Sequence, residues 1–271
     1  MPTKNDIKDA FGNRMKKYES LSESRLCPGL PICVRIDGRA FHTFTRGMVR
    51  PYDKDLIEAM AETTKALVKE TNACIGYTQS DEISLVLKPM REPMFDGRIQ
   101  KLASVLASVA TATFNREIHK AYPNKPDAVF DCRVFNVPSE TEAANTILWR
   151  EFDATKNSIS SAAQAVYSHG QLLGKSGNQK QAMLLEKDIN WNDYPDRYKR
   201  GTYVRRIVET RKFTPEELVN LPEKHAARRN PDLEFTREHI EVVSMPIFSK
   251  VTNREDVIFR GAEPILLTEN V

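Results

Sequence analysis

Two stretches decide how this chain is read: Pro31-Ile32-Cys33-Val34-Arg35-Ile36-Asp37-Gly38 and Tyr77-Thr78-Gln79-Ser80-Asp81-Glu82-Ile83-Ser84-Leu85-Val86-Leu87. Each places acidic residues at the edge of an apolar, strand-like run. The first run ends on Asp37; in the second, Asp81 and Glu82 precede Ile83 to Leu87. The corner Gln79-Ser80-Asp81 has turn composition, so residues 72–77 and 83–87 read as a hairpin. A lone Asp beside a strand is usually a turn former. Two at adjoining strand ends can share a pair of Mg²⁺ ions, which prefer carboxylates plus substrate phosphate oxygens. Such a clamp steadies the attacking and leaving oxygens of an in-line phosphoryl displacement. Asp37 and Asp81 are therefore the candidate metal ligands.

Working outward, periodicity supplies the remaining elements. Asp53 can cap a helix through about Glu70, with Leu56, Ile57, Met60, Thr64, Leu67 and Val68 at helical spacing. A second helix runs from about Arg98 to His119, carrying Leu102, Val105, Leu106, Val109 and Phe114 on one side. After a loop at 123–127, Val129 to Val137 is a strand. Ser139 and Glu142 form a capping box for a helix to about Phe152, and Asn157 to Leu173 reads as a separate helix ending near Gly174. The order β-α-β-β-α-β is that of a ferredoxin-like unit. The expected fold is thus α+β, an antiparallel sheet with helices on one face. The same unit is the palm of many polymerases and cyclases, which agrees with phosphoryl chemistry without proving it.

From about Glu209 the composition changes. Thr214 caps a short helix, residues 223–231 are basic and polar, and Val242 to Phe248 reads as one more strand, restricted by Pro246 to an edge or an end. The expected organisation is a palm-like domain over 1–208 and a C-terminal extension of unassigned role over 209–271.

The chain has 271 residues, of which 40% are hydrophobic, enough for a sizeable core. Its 40 basic and 37 acidic residues leave a net charge of +3, too even to argue nucleic-acid binding without local clustering. Cys27, Cys33, Cys74 and Cys132 show no CxxC spacing, so reduced thiols in a cytosolic protein are expected rather than structural zinc. The polar N-terminus lacks an apolar signal segment, and no apolar run is long enough to cross a bilayer. These features lead to an expectation of a cytoplasmic protein with no membrane partner.

The two opening stretches resemble those of the tRNA-His guanylyltransferase family, the 3'-to-5' nucleotide polymerases. The resemblance continues through Phe130-Asp131-Cys132-Arg133-Val134-Phe135, Trp149-Arg150 with Asp153, Gly174-Lys175-Ser176 and Lys199-Arg200-Gly201-Thr202, in the family's order, covering roughly residues 5–205. It implies that the Gly38 carbonyl joins Asp37 and Asp81 around two Mg²⁺ ions and that Glu82 matters for activity. Glycine suits a close approach of backbone to ion. By position, Arg39, Arg50, Ser80, Arg98, Lys101 and Lys180 are candidates for nucleotide phosphates. Arg50 stands where the family usually has a lysine, and a guanidinium fork changes the contact geometry. Asp53 matches an acidic position near the nucleotide, and its capping role is compatible with that. Phe41 and His42 are candidates for the base pocket. Arg133, Asn157, Lys175 and Lys180 are candidates for RNA or phosphate contact. Gly174-Lys175-Ser176 is not a Walker loop, because it lacks the upstream glycine and follows a helix.

One departure matters. Where eukaryotic members carry His-Ile-Asn-Asn-Leu-Tyr-Asn, this chain has Thr155-Lys156-Asn157-Ser158-Ile159-Ser160-Ser161, retaining only Asn157. That moves the reading from dedicated tRNA-His guanylylation toward template-directed repair of tRNA 5' ends, with ATP, GTP and other nucleoside triphosphates as substrates. Family analogy implies a homo-oligomer, often a tetramer. The alternatives are the dedicated guanylyltransferase, a nucleotide cyclase or forward polymerase on the same palm, and a non-catalytic RNA-binding protein.

Overall fold

The structure, a computed structural model, describes residues 4–230 and 232–267. Its strands are β1 (Ile32–Gly38), β2 (Ile75–Gln79), β3 (Glu82–Leu87), β4 (Phe130–Asn136), β5 (Thr202–Lys212) and β6 (Glu234–Val243). The helices are α1 (Lys4–Ser20), α2 (Phe41–Phe44), α3 (Lys54–Thr71), α4 (Ile99–Ile118), α5 (Glu140–Gln164) and α6 (His169–Leu172). They continue with α7 (Gly177–Leu185), α8 (Asp196–Lys199), α9 (Pro215–Asn220), α10 (Ala226–Arg229) and α11 (Arg254–Phe259). The strands form one sheet in the order β4-β1-β3-β2-β5-β6, every neighbouring pair antiparallel. Strands β1 to β4 with α3 and α4 make the ferredoxin-like palm that the alternation of elements predicts.

Alternation along the strands divides the core in two. Ile32, Val34 and Ile36 of β1 join Ile83, Leu85 and Leu87 of β3 against Leu67 and Val68 of α3 and Leu106 and Phe114 of α4. The intervening Cys33 and Val86 face the other way, with Ile75 and Tyr77 of β2, Ala143 and Ile147 of α5, and Val257 and Phe259 of α11. The palm's own helices therefore share one face, and α5 and α11 cover part of the opposite one. Each fully buried Leu or Ile contributes about 1.5–3 kcal/mol. Helix α3 comes so close to β2 that a Cβ on Gly76 would stand 2.6 Å from Thr64 Cγ2 and 2.8 Å from Val68 Cγ2.

Several boundaries differ from the sequence reading. Helix α5 runs unbroken through the gap expected between Phe152 and Asn157. Residues 153–156 contain no Gly or Pro, and buried Ala154 and Ser158 carry the apolar stripe across. Ser139 accepts the Glu142 amide at 3.2 Å. The carboxylate of Glu142 takes the Asn145 side chain at 3.1 Å instead of closing the expected box. Beyond Gln164 the helix stops, and Gly174-Lys175-Ser176 links two short helices, with Gly174 at φ 73 and Ser176 capping α7. The last strand is Glu234–Val243, not 242–248, and the chain leaves the ladder before Pro246. Strand β5 crosses position 208/209 and pairs with β6 from Tyr203↔Val243 to Lys212↔Glu234. No helix among the described residues is long and apolar enough to cross a membrane.

Candidate active site

Strands β1 and β3 bring the acidic residues to one end of the sheet. Asp37 stands opposite Glu82 in register. The Gly38 amide donates to the Asp81 carbonyl at 3.0 Å, pinning the end of β1 to the β2–β3 turn. Ser80 occupies the left-handed region at φ 54, and its hydroxyl donates to Asp81 Oδ1 at 3.0 Å. Gly38 is required sterically: a Cβ there would meet Phe41 Cδ2 at 2.2 Å. Phe41 cannot yield easily, because its ring packs on Phe44, Phe114 and Phe130 with centroids 5.0, 5.4 and 5.2 Å away.

The electrostatics follow from this crowding. Burial pushes the Asp81 carboxyl above its usual range, Ser80 opposes the shift, and the charge of Asp37 adds to it. A cation between the two carboxylates relieves that cost. Burial likewise pushes Glu82 up, against the pull of Arg150 and Arg35. Glu82 is ion-paired with Arg150, and Arg35 Nη2 stands 3.6 Å from its carboxylate. Arg150 also reaches Asp153 at 3.1 Å. Glu82 is therefore bound into an arginine network, while Asp37 and Asp81 face open space. Among the described residues no cluster of three or more His, Cys, Asp or Glu side chains could hold a metal. The two-carboxylate set still suits Mg²⁺, which uses one or two carboxylates and completes its shell with water and phosphate.

A cleft of about 580 Å³ opens here, lined among others by Asp37, Asp81, Glu82, His42, Arg50 and Asn157. A smaller hollow of about 370 Å³ adjoins it, lined by Gly38, Phe41, His42, Thr45, Ser80 and Asp81. His42 and Asp81 face both spaces, so the two hollows meet at the carboxylate pair.

The structure brings together some of the remaining candidates and separates others. Arg50, Ser80 and Asn157 line the cleft. Lys180 reaches its rim, with Nζ 3.0 Å from Ser160 Oγ. Asp53 lines the cleft, but its oxygens are committed to the Leu56 and Val49 amides, both at 2.9 Å, and to the Tyr122 hydroxyl. Burial pushes the Asp53 carboxyl up, yet the bonds from Tyr122 and these amides outweigh it and hold the group below its usual range. Phe41 is a core ring with an edge on the smaller hollow. Arg39 is exposed and lines neither space; its amide donates to Val129 at 2.8 Å. Arg98 and Lys101 lie apart from the cleft, because β3 runs away from Glu82 and α4 begins only after it. Arg98 Nε pairs with Glu23 at 3.5 Å, and Lys101 sits 4.9 Å above the Phe95 ring. Arg133 is exposed on the outer strand β4, and Lys175 is exposed between α6 and α7.

Arg150, Tyr52, Tyr198 and Gln164 also line the cleft and had no assigned role. Only Arg150 left a signal in the sequence, beside Trp149 and Asp153. Tyr52 is placed by its hydroxyl bond to the Ser158 carbonyl at 2.8 Å, which nothing in its local sequence indicates.

Palm, paired carboxylates and flanking cleft together define a nucleotidyl-transfer fold, and comparison with known proteins agrees. The profile of the tRNAHis guanylyltransferase family matches residues 12–138. A solved bacterial tRNA(His) guanylyltransferase-like protein in complex with ATP is 38% identical, with a TM-score of 0.75 over 92% of this chain and 99% of that one. A bacterial structure of the same description in complex with GTP is 34% identical, with a TM-score of 0.70 over 92% and 99%. The tRNA(His) guanylyltransferase of Saccharomyces cerevisiae is 29% identical over 204 residues, 68% of this chain and 86% of that protein. The chain belongs to the tRNA(His) guanylyltransferase family and is a nucleotidyltransferase.

Proposed function

We propose that this protein is a Mg²⁺-dependent 3'-to-5' nucleotidyltransferase that adds nucleotides to the 5' end of tRNA, directed by the opposite strand. The observation that carries this reading is the Gly38–Asp81 backbone bond, which fixes Asp37 and Asp81 side by side at the lip of a nucleotide-sized cleft. Bound there, Mg²⁺ supplies Lewis-acid neutralisation of phosphate charge and a lowered hydroxyl pKa. The 5'-monophosphate of the RNA attacks the α-phosphorus of ATP and releases pyrophosphate. The 3'-hydroxyl of an incoming nucleotide then attacks the activated 5' phosphorus and releases AMP. Arg50, open to the cleft, holds phosphate oxygens, His42 lines the base pocket, and Asp37 and Asp81 would hold the Mg²⁺ that neutralises the reacting phosphate. ATP- and GTP-bound relatives support nucleoside triphosphates as substrates.

Template direction is supported by the wall that α5 presents. Asn157, Ser158, Ser160 and Ser161 line the cleft where larger residues of the dedicated enzymes are expected. Small hydroxyls offer little with which to choose a base, so pairing must do so. A cytoplasmic tRNA pool and a homo-oligomeric assembly, tetrameric by analogy, belong to the same proposal. The test supplies 5'-truncated tRNA transcripts with each nucleotide in turn, with Mg²⁺ or with chelator, and sequences the 5' ends. Addition is expected in wild type with Mg²⁺ and in neither Asp37→Ala nor Asp81→Ala. Near-normal turnover in either variant overturns the metal assignment.

A further inference from the structure

Helix α5 covers the sheet over β1, β3 and β2 but leaves the same face of β4 open. Asp131, Arg133 and Phe135 alternate along that face, and all three are exposed. In register they oppose Asp37, Arg35 and Cys33 of β1. Along α5, Trp149, Phe152 and Lys156 follow at spacings of three and four, which puts them on one side of the helix. Trp149 is 53% and Phe152 55% exposed. The Arg35 guanidinium lies 6.0 Å from the Trp149 ring centre and joins the two rows. The result is one strip in which Phe135, Arg133 and Asp131 run along β4 toward the level of Asp37, with the Trp149 ring beside Arg35 and 4.6 Å from the Arg150 guanidinium.

The folded chain alone does not account for this strip. Like charges directly opposite one another across strands are destabilising, and Arg35 faces Arg133 in this way. No described residue forms an ion pair with Arg133. Among the described residues the one ion pair of Arg35 is with Glu82, at 3.6 Å, which Arg150 also engages. Arg35 Nε is buried without a hydrogen-bond partner. Exposed rings beside Arg133, which has no ion pair among the described residues, and Arg35, whose Nε has no hydrogen-bond partner, match the chemistry of an unpaired nucleic-acid strand, whose bases stack and whose phosphates seek cations.

We infer that this strip is a stacking platform for a few unpaired nucleotides at the acceptor end of the RNA substrate. Bases lie on Trp149 and Phe135, phosphates lie on Arg35 and Arg133, and the strand is delivered to Asp37. The inference rests on the RNA substrate of the proposed function and adds to it a positioning site outside the cleft.

The protein has two tryptophans, and Trp191 is buried, so contact quenching by nucleic acid reads Trp149. Titrating the full-length protein with an unstructured hexa-adenylate should quench Trp149 emission. Phe135→Ser and Arg133→Gln should each weaken that quenching. In steady state, Trp149→Ala and Phe135→Ser should raise KM for tRNA roughly ten- to a hundredfold with little change in KM for ATP, and Trp149→Tyr should restore most of the loss. If wild type adds nucleotides while Phe135→Ser and Arg133→Gln leave quenching unchanged and Trp149→Ala and Phe135→Ser leave KM for tRNA unchanged, the platform is refuted. It is equally refuted if Phe152→Ala converts an oligomer to monomer in sedimentation without altering the quenching by hexa-adenylate. Failure of the proposed function reads differently: wild type then adds no nucleotide to any RNA, whatever the quenching shows.

Discussion

Arg150, on α5, is ion-paired with Glu82, the first residue of β3 and the neighbour of Asp81. Their side chains are 7% and 18% exposed. The pair ties the helix that lines the cleft to the strand end that carries Asp81. Removing one member of a buried pair leaves the other uncompensated, typically at a cost of about 3–5 kcal/mol. Arg150→Met should therefore lower stability by about 3 kcal/mol, read as a fall in the urea midpoint. Combining it with Glu82→Gln should recover part of the loss. A single variant as stable as wild type would mean that the pair does not hold α5 on the sheet.

Gly38→Ala tests the turn from below. The added methyl would stand 2.2 Å from Phe41 Cδ2 and 2.9 Å from Cγ, in a ring cluster that fills the core. Either Phe41 moves or the Gly38–Asp81 bond breaks. Overpacking of this kind costs about 1–3 kcal/mol. The expected outcome is a lower melting temperature together with loss of nucleotide addition. Pairing the substitution with Phe41→Leu should restore stability before it restores turnover. Wild-type turnover in Gly38→Ala would show that the close approach is not needed for the chemistry.

Asp53 gives a pH signature. Its carboxyl is held below the usual range by Tyr122 and the Leu56 and Val49 amides, which outweigh the effect of burial. A depressed carboxyl stabilises the fold above its unfolded-state value, about 3.9 for Asp, and that contribution is lost as pH falls through the lowered folded value. Asp53→Ala should cost about 1–2 kcal/mol at pH 7, as for loss of a helix cap. The gap to wild type should narrow as pH falls below about 4. Urea titrations at several pH values read this directly, and a gap independent of pH would contradict the assigned network.

The palm was legible in the sequence because its signals are local. Asp53 caps α3 as its position predicts, the Ser80 corner turns the hairpin, and alternation in β1 and β3 marks the buried face. What escaped depends on contacts between distant segments. The unbroken α5 follows from the burial of Ala154 and Ser158, the latter bonded to the Lys199 carbonyl at 3.0 Å, which no local pattern announces. Arg98 and Lys101 sit next to α4's start, a position that suggests phosphate contact, yet the direction of β3 carries them to the far end of the sheet. Arg150 was visible as a motif, but its role emerged only once its partner, Glu82, was seen 68 positions earlier in the chain.

The choice of nucleotide is the sharpest test of the repair reading. In the cleft, the α5 segment that replaces the eukaryotic motif contributes Asn157, Ser158, Ser160 and Ser161, shorter side chains with less reach to enclose a base and read its edge. Picking guanine without a template requires a pocket whose polar groups pair with that base and are left unpaired by others, which is how enzymes reach large discrimination ratios. Watson–Crick pairing with the opposite strand supplies discrimination without such a pocket, and arginine contacts to phosphate position the RNA without reading it. Changing the template base opposite a 5' gap from C to A, G or U should therefore switch the added nucleotide to U, C or A respectively. Several tRNAs should be repaired, with Arg50→Ala raising KM for every nucleotide alike. Addition of G alone, whatever base stands opposite and only on tRNA-His, would identify a dedicated guanylyltransferase and exclude template-directed repair.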